Sequence, residues 1–204
     1  MAERVSNRAG GLDRTLDWEQ HKPMKRINLA ILASLATLSL PAAAPAVLPQ
    51  GVRAPNIVSQ GAMAGKPFTF NLEQALKKGP VVLYFYPKAF TQGCTLEAHA
   101  FAEATAEFAK AGATVIGMSA DDLPSLLRFS KEACRDKFAV AIASPQVLSS
   151  YDVALKKADG SDTGMSSRTS YVIGKDRKVK FVHSNMDYRD HVRLTLQAVR
   201  ALKR

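Results

Sequence analysis

Two cysteines in 204 residues, Cys94 and Cys134, are too few for a disulfide framework and too few for a zinc quartet unless histidines join them. The four histidines, His21, His99, His183 and His191, show no metal-ligand spacing with either thiol, so no metal site is expected. The net charge of +10 contains no run of five like charges, and such scatter argues against a nucleic-acid partner. No apolar run reaches the ~20 residues that a membrane-spanning helix needs. Tryptophan is nearly absent: the one example is Trp18. What is present is ordinary for a globular chain, with 47% hydrophobic and 23% charged residues and enough length for one domain with its own core.

Residues 24–46 read "MKRINLAILASLATLSLPAAAPA". Lys25 and Arg26 give a basic start, Ile27 to Leu40 an apolar stretch, and the small residues after Pro41 offer Ala-x-Ala spacing at Ala42/Ala44 and Ala44/Ala46. This is the pattern of a signal peptide, with cleavage expected after Ala46 because cleavage after Ala44 would leave Pro45 next. Residues 1–23 are polar and unpatterned and read as an upstream mis-start or a disordered extension. The expected mature domain is therefore 47–204, periplasmic or secreted, with no stable membrane insertion after cleavage and no tryptophan.

In that domain, Pro49 to Gly65 reads as a loop-like lead-in and "FTFNLEQAL" (68–76) as a short strand followed by a helical turn. "VVLYFY" (81–86) is a continuous β-branched and aromatic run bounded by Gly79-Pro80 and Pro87, the pattern of a buried central strand. Helical spacing begins at Cys94, with Phe101, Thr105 and Phe108 on one face, and stops near Gly112. "ATVIGMS" (113–119) predicts a second buried strand, and Asp121 or Asp122 caps a helix that carries Pro124 in its first turn and Leu127, Ser130 and Cys134 on one face. "FAVAIAS" (138–144) predicts a strand and Pro145 to Tyr151 a short helix; "TSYVIG" (169–174) and "KVKFVHS" (178–184) form a hairpin, and an amphipathic helix spans 188–202. Crossover helices imply parallel pairing of the early strands, and the hairpin adds antiparallel ones. The expected fold is α/β: a thioredoxin-like sandwich, with a mixed central sheet and helices on both faces.

The stretch "YFYPKAFTQGCTLEAHAF" (84–101) puts Cys94 where a strand turns into a helix. A thiol there faces unpaired backbone N–H groups and the positive end of the helix dipole, and both favour thiolate. The dipole supplies about 1 kcal/mol, less than a thiol with a reference pKa of ~8.5 needs to be mostly ionised at neutral pH, so a second cation is required, and a fixed arginine is the obvious donor. Thioredoxin-type reductases carry Cys-x-x-Cys at this turn; here it is Thr91-Gln92-Gly93-Cys94, and a hydroxyl cannot form a disulfide. The turn is built around a single sulfur.

This stretch resembles the peroxiredoxins of the bacterioferritin-comigratory-protein type, whose pattern Pro-x-x-x-Thr/Ser-x-x-Cys is met by Pro87, Thr91 and Cys94. The resemblance runs from about Arg53 to the end of the chain and includes "SRTSYVIGKDRKV" (167–179), where Arg168 matches the family's active-site arginine. It implies reduction of hydrogen peroxide and alkyl hydroperoxides without metal, haem or other cofactor. It implies that Cys94 attacks the peroxide and becomes sulfenic acid, and that Arg168 holds the thiolate and polarises the peroxide. Thr91 and the Cys94 backbone N–H would bind the peroxide oxygens, and Pro87 would shield the sulfur.

Some members of the family place a resolving cysteine five residues after the reactive one, where this chain has His99, or further on, at the position of Ser130 here. Cys134 lies four residues beyond Ser130, one turn along the same expected helical face, and is the candidate resolving thiol, with core packing as its alternative. Without it, an external thiol completes the cycle. The implied partners are a hydroperoxide and a thiol reductant such as thioredoxin or a thioredoxin-like envelope protein; the implied state is a monomer or weak dimer. Glu97 and His99 are assigned no chemistry. The competing readings are a thioredoxin-like thiol-disulfide oxidoreductase, opposed by the missing Cys-x-x-Cys, and a non-catalytic thioredoxin-fold envelope protein, opposed by the intact Pro87, Thr91, Cys94 and Arg168.

Overall fold

A computed structural model describes residues 47–202, so the expectations for 1–23 and 24–46 lie outside the described residues. The first hairpin is β1 (Val58–Met63) with β2 (Lys66–Asn71), followed by α1 (Leu72–Lys78). Then come β3 (Val81–Phe85), α2 (Gln92–Lys110), β4 (Thr114–Ser119), α3 (Leu123–Glu132), β5 (Ala139–Ile142) and α4 (Pro145–Ser150). A small hairpin of β6 (Ala154–Lys156) and β7 (Asp162–Ser166) precedes β8 (Thr169–Ile173), β9 (Val179–Ser184) and α5 (His191–Ala201).

Seven strands form one mixed sheet in the order β2-β1-β5-β4-β3-β8-β9. The strands β3, β4 and β5, joined through α2 and α3, pair in parallel, whereas β8 lies antiparallel to both β3 and β9. This is the thioredoxin-like α/β sandwich. The strand β3 lies mid-sheet and is buried throughout, which is why its sequence is uninterruptedly apolar. Its side chains alternate between two cores. Val82, Tyr84 and, just past the strand, Tyr86 pack with Phe101, Phe108, Phe129 and Val199 of α2, α3 and α5, whereas Val81, Leu83 and Phe85 pack with Leu72, Leu76 and Leu148 of α1 and α4. Tyr84 stacks on Phe101 at 4.2 Å between ring centroids, and Tyr86 on Phe129 at 5.3 Å. Each such buried aromatic contributes about 2–3 kcal/mol of transfer free energy.

The helix α2 ends as its sequence requires: Gly112 takes φ +80° and Ala113 N–H reaches back to the Phe108 carbonyl at 2.9 Å. Asp122, not Asp121, caps α3 by accepting from Ser125 N–H at 3.0 Å.

Three expectations are corrected. The lead-in to Gly65 contains β1, and β6 and β7 were not anticipated at all. The terminal helix begins at His191 rather than Tyr188. The helix α3 stops at Glu132, so Cys134 is not on its face; the inner face buries Leu126, Phe129 and Ser130, with Leu127 partly buried against the same core. Cys134 lies in the turn beyond, fully buried, with its N–H on the Phe129 carbonyl at 3.0 Å. No glycine terminates this helix. Arg135 and Asp136 take φ of +51° and +57° in succession, a left-handed pair that costs about 1 kcal/mol per residue without glycine.

Candidate active site

Cys94 is the third residue of α2 and is 1% exposed. Thr91 is the N-cap, but its hydroxyl donates to the Lys88 carbonyl at 3.0 Å and makes no cap hydrogen bond. It therefore leaves the first-turn N–H groups unclaimed by a side chain, at the positive end of a 19-residue helix. The incoming loop is fixed by the backbone: Tyr86 N–H donates to Met118 O at 3.0 Å and Ser166 Oγ to Tyr86 O at 2.7 Å. Ala89 N–H donates to Asp121 Oδ2 at 2.8 Å, and so does Ser119 Oγ. Pro87 is half-buried at the start of this loop. Phe90, with φ +64°, turns its ring outward onto α3, edge-on to Phe129 at 5.2 Å and under the Arg128 guanidinium at 5.0 Å.

Arg168, 74 positions away in sequence, arrives from the bend between β7 and β8 and is buried. Its Nη2 donates to Cys94 Sγ at 3.4 Å, its Nε to the Met186 carbonyl at 2.9 Å, and its Nη1 to Glu97 Oε2. Three acceptors thus fix the planar fork, and one of them is the sulfur. Burial works against the Arg168 charge, but Glu97 and Cys94 beside it more than offset that and hold the guanidinium protonated.

Glu97 was assigned no chemistry from the sequence and placed in the first helical turn. It lies one turn further on, fully buried, three residues after Cys94 and so on the same face of α2. That spacing was the signal in the sequence. Burial pushes its carboxyl up to about 8, although Arg168 pulls the other way. Its Oε1 has no hydrogen-bond partner and lies 3.8 Å from His191 Nδ1. Neither Glu97 nor His191 was marked as functional from the sequence; His191 comes from α5 and meets the site only through tertiary packing.

Cys134 is free, as is Cys94, and both belong to one buried cluster with Tyr84, Tyr86 and Phe129. Burial pushes the Cys134 thiol up, and Asp136 adds to the effect. His99 is half-buried on α2.

The model of the AhpC/TSA family matches residues 51–182. The Mycobacterium tuberculosis protein named as peroxiredoxin Rv1608c is 36% identical over 134 residues, 64% of this chain and 86% of that protein. The chloroplastic peroxiredoxin Q of Oryza sativa subsp. japonica is 35% identical over 127 residues, 62% of this chain and 57% of that protein. Among solved structures, peroxidoxin BcpB from Mycobacterium tuberculosis superposes with a TM-score of 0.66 at 30% identity, covering 75% of this chain and 97% of that one. Peroxiredoxin Q of Xanthomonas campestris gives 0.62 at 25% identity, covering 71% of this chain and 91% of that one. Taken with a single thiol on a helix N-terminus under a buried arginine, these likenesses establish that the chain belongs to the AhpC/TSA family, as a thiol peroxidase of the bacterioferritin-comigratory-protein type of peroxiredoxin.

Proposed function

We propose that Cys94 is the peroxidatic thiol and that its substrates are hydrogen peroxide and alkyl hydroperoxides. The thiolate attacks one peroxide oxygen; an S–O bond forms and the O–O bond breaks. Sulfur loses two electrons to the peroxide, Cys94 becomes sulfenic acid, and the departing alkoxide or hydroxide takes up one proton to leave as alcohol or water. The observation that carries this reading is the Arg168 Nη2 donor 3.4 Å from Cys94 Sγ. That donor is in place before the reaction and serves both the thiolate and the charge that develops on the leaving oxygen. The Thr91 proton is committed to Lys88 O, so its oxygen is left to accept from a peroxide O–H while the Cys94 N–H donates to the other oxygen. Pro87 sits at the entrance to this loop and limits the water that reaches the sulfur. Exposed Phe90, Leu96 and Met186 belong to the segments that surround Cys94 and suit an organic hydroperoxide as well as a small one.

Cys134 is the resolving thiol in this reading. It condenses with the Cys94 sulfenic acid, forming an S–S bond and releasing water, and an external thiol such as thioredoxin or a thioredoxin-like envelope protein then reduces the disulfide. The left-handed Arg135-Asp136 pair beside Cys134 favours local unwinding there, since its strain is relieved when the turn opens. The signal-peptide pattern in 24–46 supports an envelope location.

Peroxide consumption with dithiothreitol as reductant tests the reading. The wild type turns over and Cys94→Ser does not; activity retained in Cys94→Ser refutes it. After one equivalent of peroxide, non-reducing mass analysis shows the loss of two hydrogens across Cys94 and Cys134. A stable single-oxygen adduct on Cys94 instead refutes the role of Cys134 alone.

A further inference from the structure

The guanidinium that serves Cys94 is shared with Glu97, and a buried imidazole faces the other oxygen of that carboxyl. His191 is fully buried and fixed at both ring nitrogens: Nε2 lies 2.9 Å from the Asn185 carbonyl and Nδ1 2.8 Å from Ser170 Oγ. A carbonyl only accepts, so Nε2 carries the hydrogen, and the neutral ring then leaves Nδ1 as an acceptor for the Ser170 hydroxyl. The tautomer follows from these partners. Its consequence is that His191 offers no N–H to Glu97 Oε1, 3.8 Å away and without any other partner. A carboxylate with one bare oxygen in a dry site is costly, and the neutral acid is favoured.

We propose that His191 is a positioning residue for the peroxidase: held by Ser170 and Asn185 in the tautomer that gives Glu97 no proton donor, it leaves the positive charge of Arg168 committed to the Cys94 sulfur. The inference rests on the peroxidase reading above. An ionised Glu97 would compete with the thiolate for the same guanidinium; a neutral Glu97 still accepts from Nη1 and keeps the fork oriented but does not neutralise it. The groups that face this pair are Arg168 from the β7–β8 bend, Cys94 from α2, Tyr84 from β3, His183 from β9 and Asp187 from the segment before α5. Burial, the largest influence on each, pushes Glu97 up to about 8 and His191 down to about 4, which favours the neutral form of both.

The test is the pH profile of the rate at which peroxide oxidises Cys94, measured by quench and mass analysis. In the wild type the rate falls above about pH 8, as Glu97 ionises. Ser170→Ala removes the donor to Nδ1 while Asn185 still holds the hydrogen on Nε2, so Nδ1 is left as an acceptor for a protonated Glu97 and favours the acid; the fall then moves up by about one unit, leaving the rate at pH 9 about fivefold above wild type. His191→Asn, whose amide can offer Glu97 the N–H that His191 withholds, moves the fall down by about one unit, leaving the rate at pH 8 about fivefold below wild type, and Glu97→Gln removes it. Nitrogen-15 NMR of the wild type shows His191 as the Nε2–H tautomer, a readout independent of activity and of variant folding. The proposal is overturned by an Nδ1–H tautomer, or by variant profiles that keep the wild-type shape at reduced height. If instead the wild type consumes no peroxide, it is the peroxidase reading that fails, and the tautomer measurement still decides the geometry.

Discussion

Replacing Glu97 by Gln isolates the stability that one buried proton contributes. Glutamine keeps an acceptor for Arg168 Nη1 and copies the neutral acid at every pH. The native carboxyl is raised to about 8 from an ordinary value of 4.5, so the native state binds a proton that the unfolded chain has already released over that interval. Stability must therefore fall as pH rises, by about 1.4 kcal/mol per unit, its contribution being complete below the unfolded value and gone above about pH 8. His191 is lowered to about 4 from 6.5, binds fewer protons when folded, and contributes the opposite slope between those values. The two slopes cancel up to about pH 6.5, and beyond it Glu97 acts alone. Between pH 6.5 and 8 the wild type loses about 2 kcal/mol that Glu97→Gln keeps, and for a domain of this size that is roughly 4–8 °C in Tm. Urea unfolding at the two pH values, with both proteins in a Cys94→Ser background, measures it at constant m. Parallel losses in the two proteins would refute the reasoning, because they would show that Glu97 is ionised throughout.

Arg168→Met removes the donor to the sulfur and lowers the rate of Cys94 oxidation by about 10- to 100-fold, the worth of one charge-assisted hydrogen bond; an unchanged rate in rapid-quench assays overturns the role of that contact. Gly93→Ala puts a Cβ 3.3 Å from Arg168 Nη2, which the three acceptors prevent from moving freely; the rate drops about fivefold, while the urea midpoint does not fall, since alanine suits a helix better than glycine. Equal rates would show that the fork has slack. Tyr84→Phe deletes a buried hydroxyl with no hydrogen-bond partner and keeps the stack on Phe101, so thermal unfolding shows unchanged stability or a gain of up to about 1 kcal/mol; a loss of 2 kcal/mol would reveal a bond to that oxygen.

The centre of the fold was legible because its signals are unmixed. The strand β3 is buried on both faces and reads as one apolar run, and the buried positions Ala98, Phe101, Ala102 and Phe108 give α2 its helical spacing. The edge was not. The strand β1 reads "VSQGAM", with a glycine inside it and polar residues that do not alternate cleanly, and β6 and β7 are short and largely exposed, so no core face wrote itself into their sequences. The end of α3 misled because helices usually stop at glycine, and this one stops on two residues that seldom take a left-handed backbone. At the site, the reactive turn stood out from local pattern alone. Arg168 drew notice only through the resemblance to a family, because a single arginine after two serines has no local signature. His191 had no signal, since its meaning depends on α5 docking over β8 and β9 and on the partners that docking brings to each ring nitrogen.

Cys94 is 1% exposed in a packed core, and an oxidised sulfur is larger than a reduced one. The new oxygen must occupy volume already filled by neighbours, in an interior that yields little to compression. On the proposed reading, oxidation of Cys94 therefore presses on the buried cluster that it shares with Tyr86, Ala89, Phe129 and Cys134. On that reading the sulfur that meets peroxide would itself be the wedge that loosens the packing around Cys134.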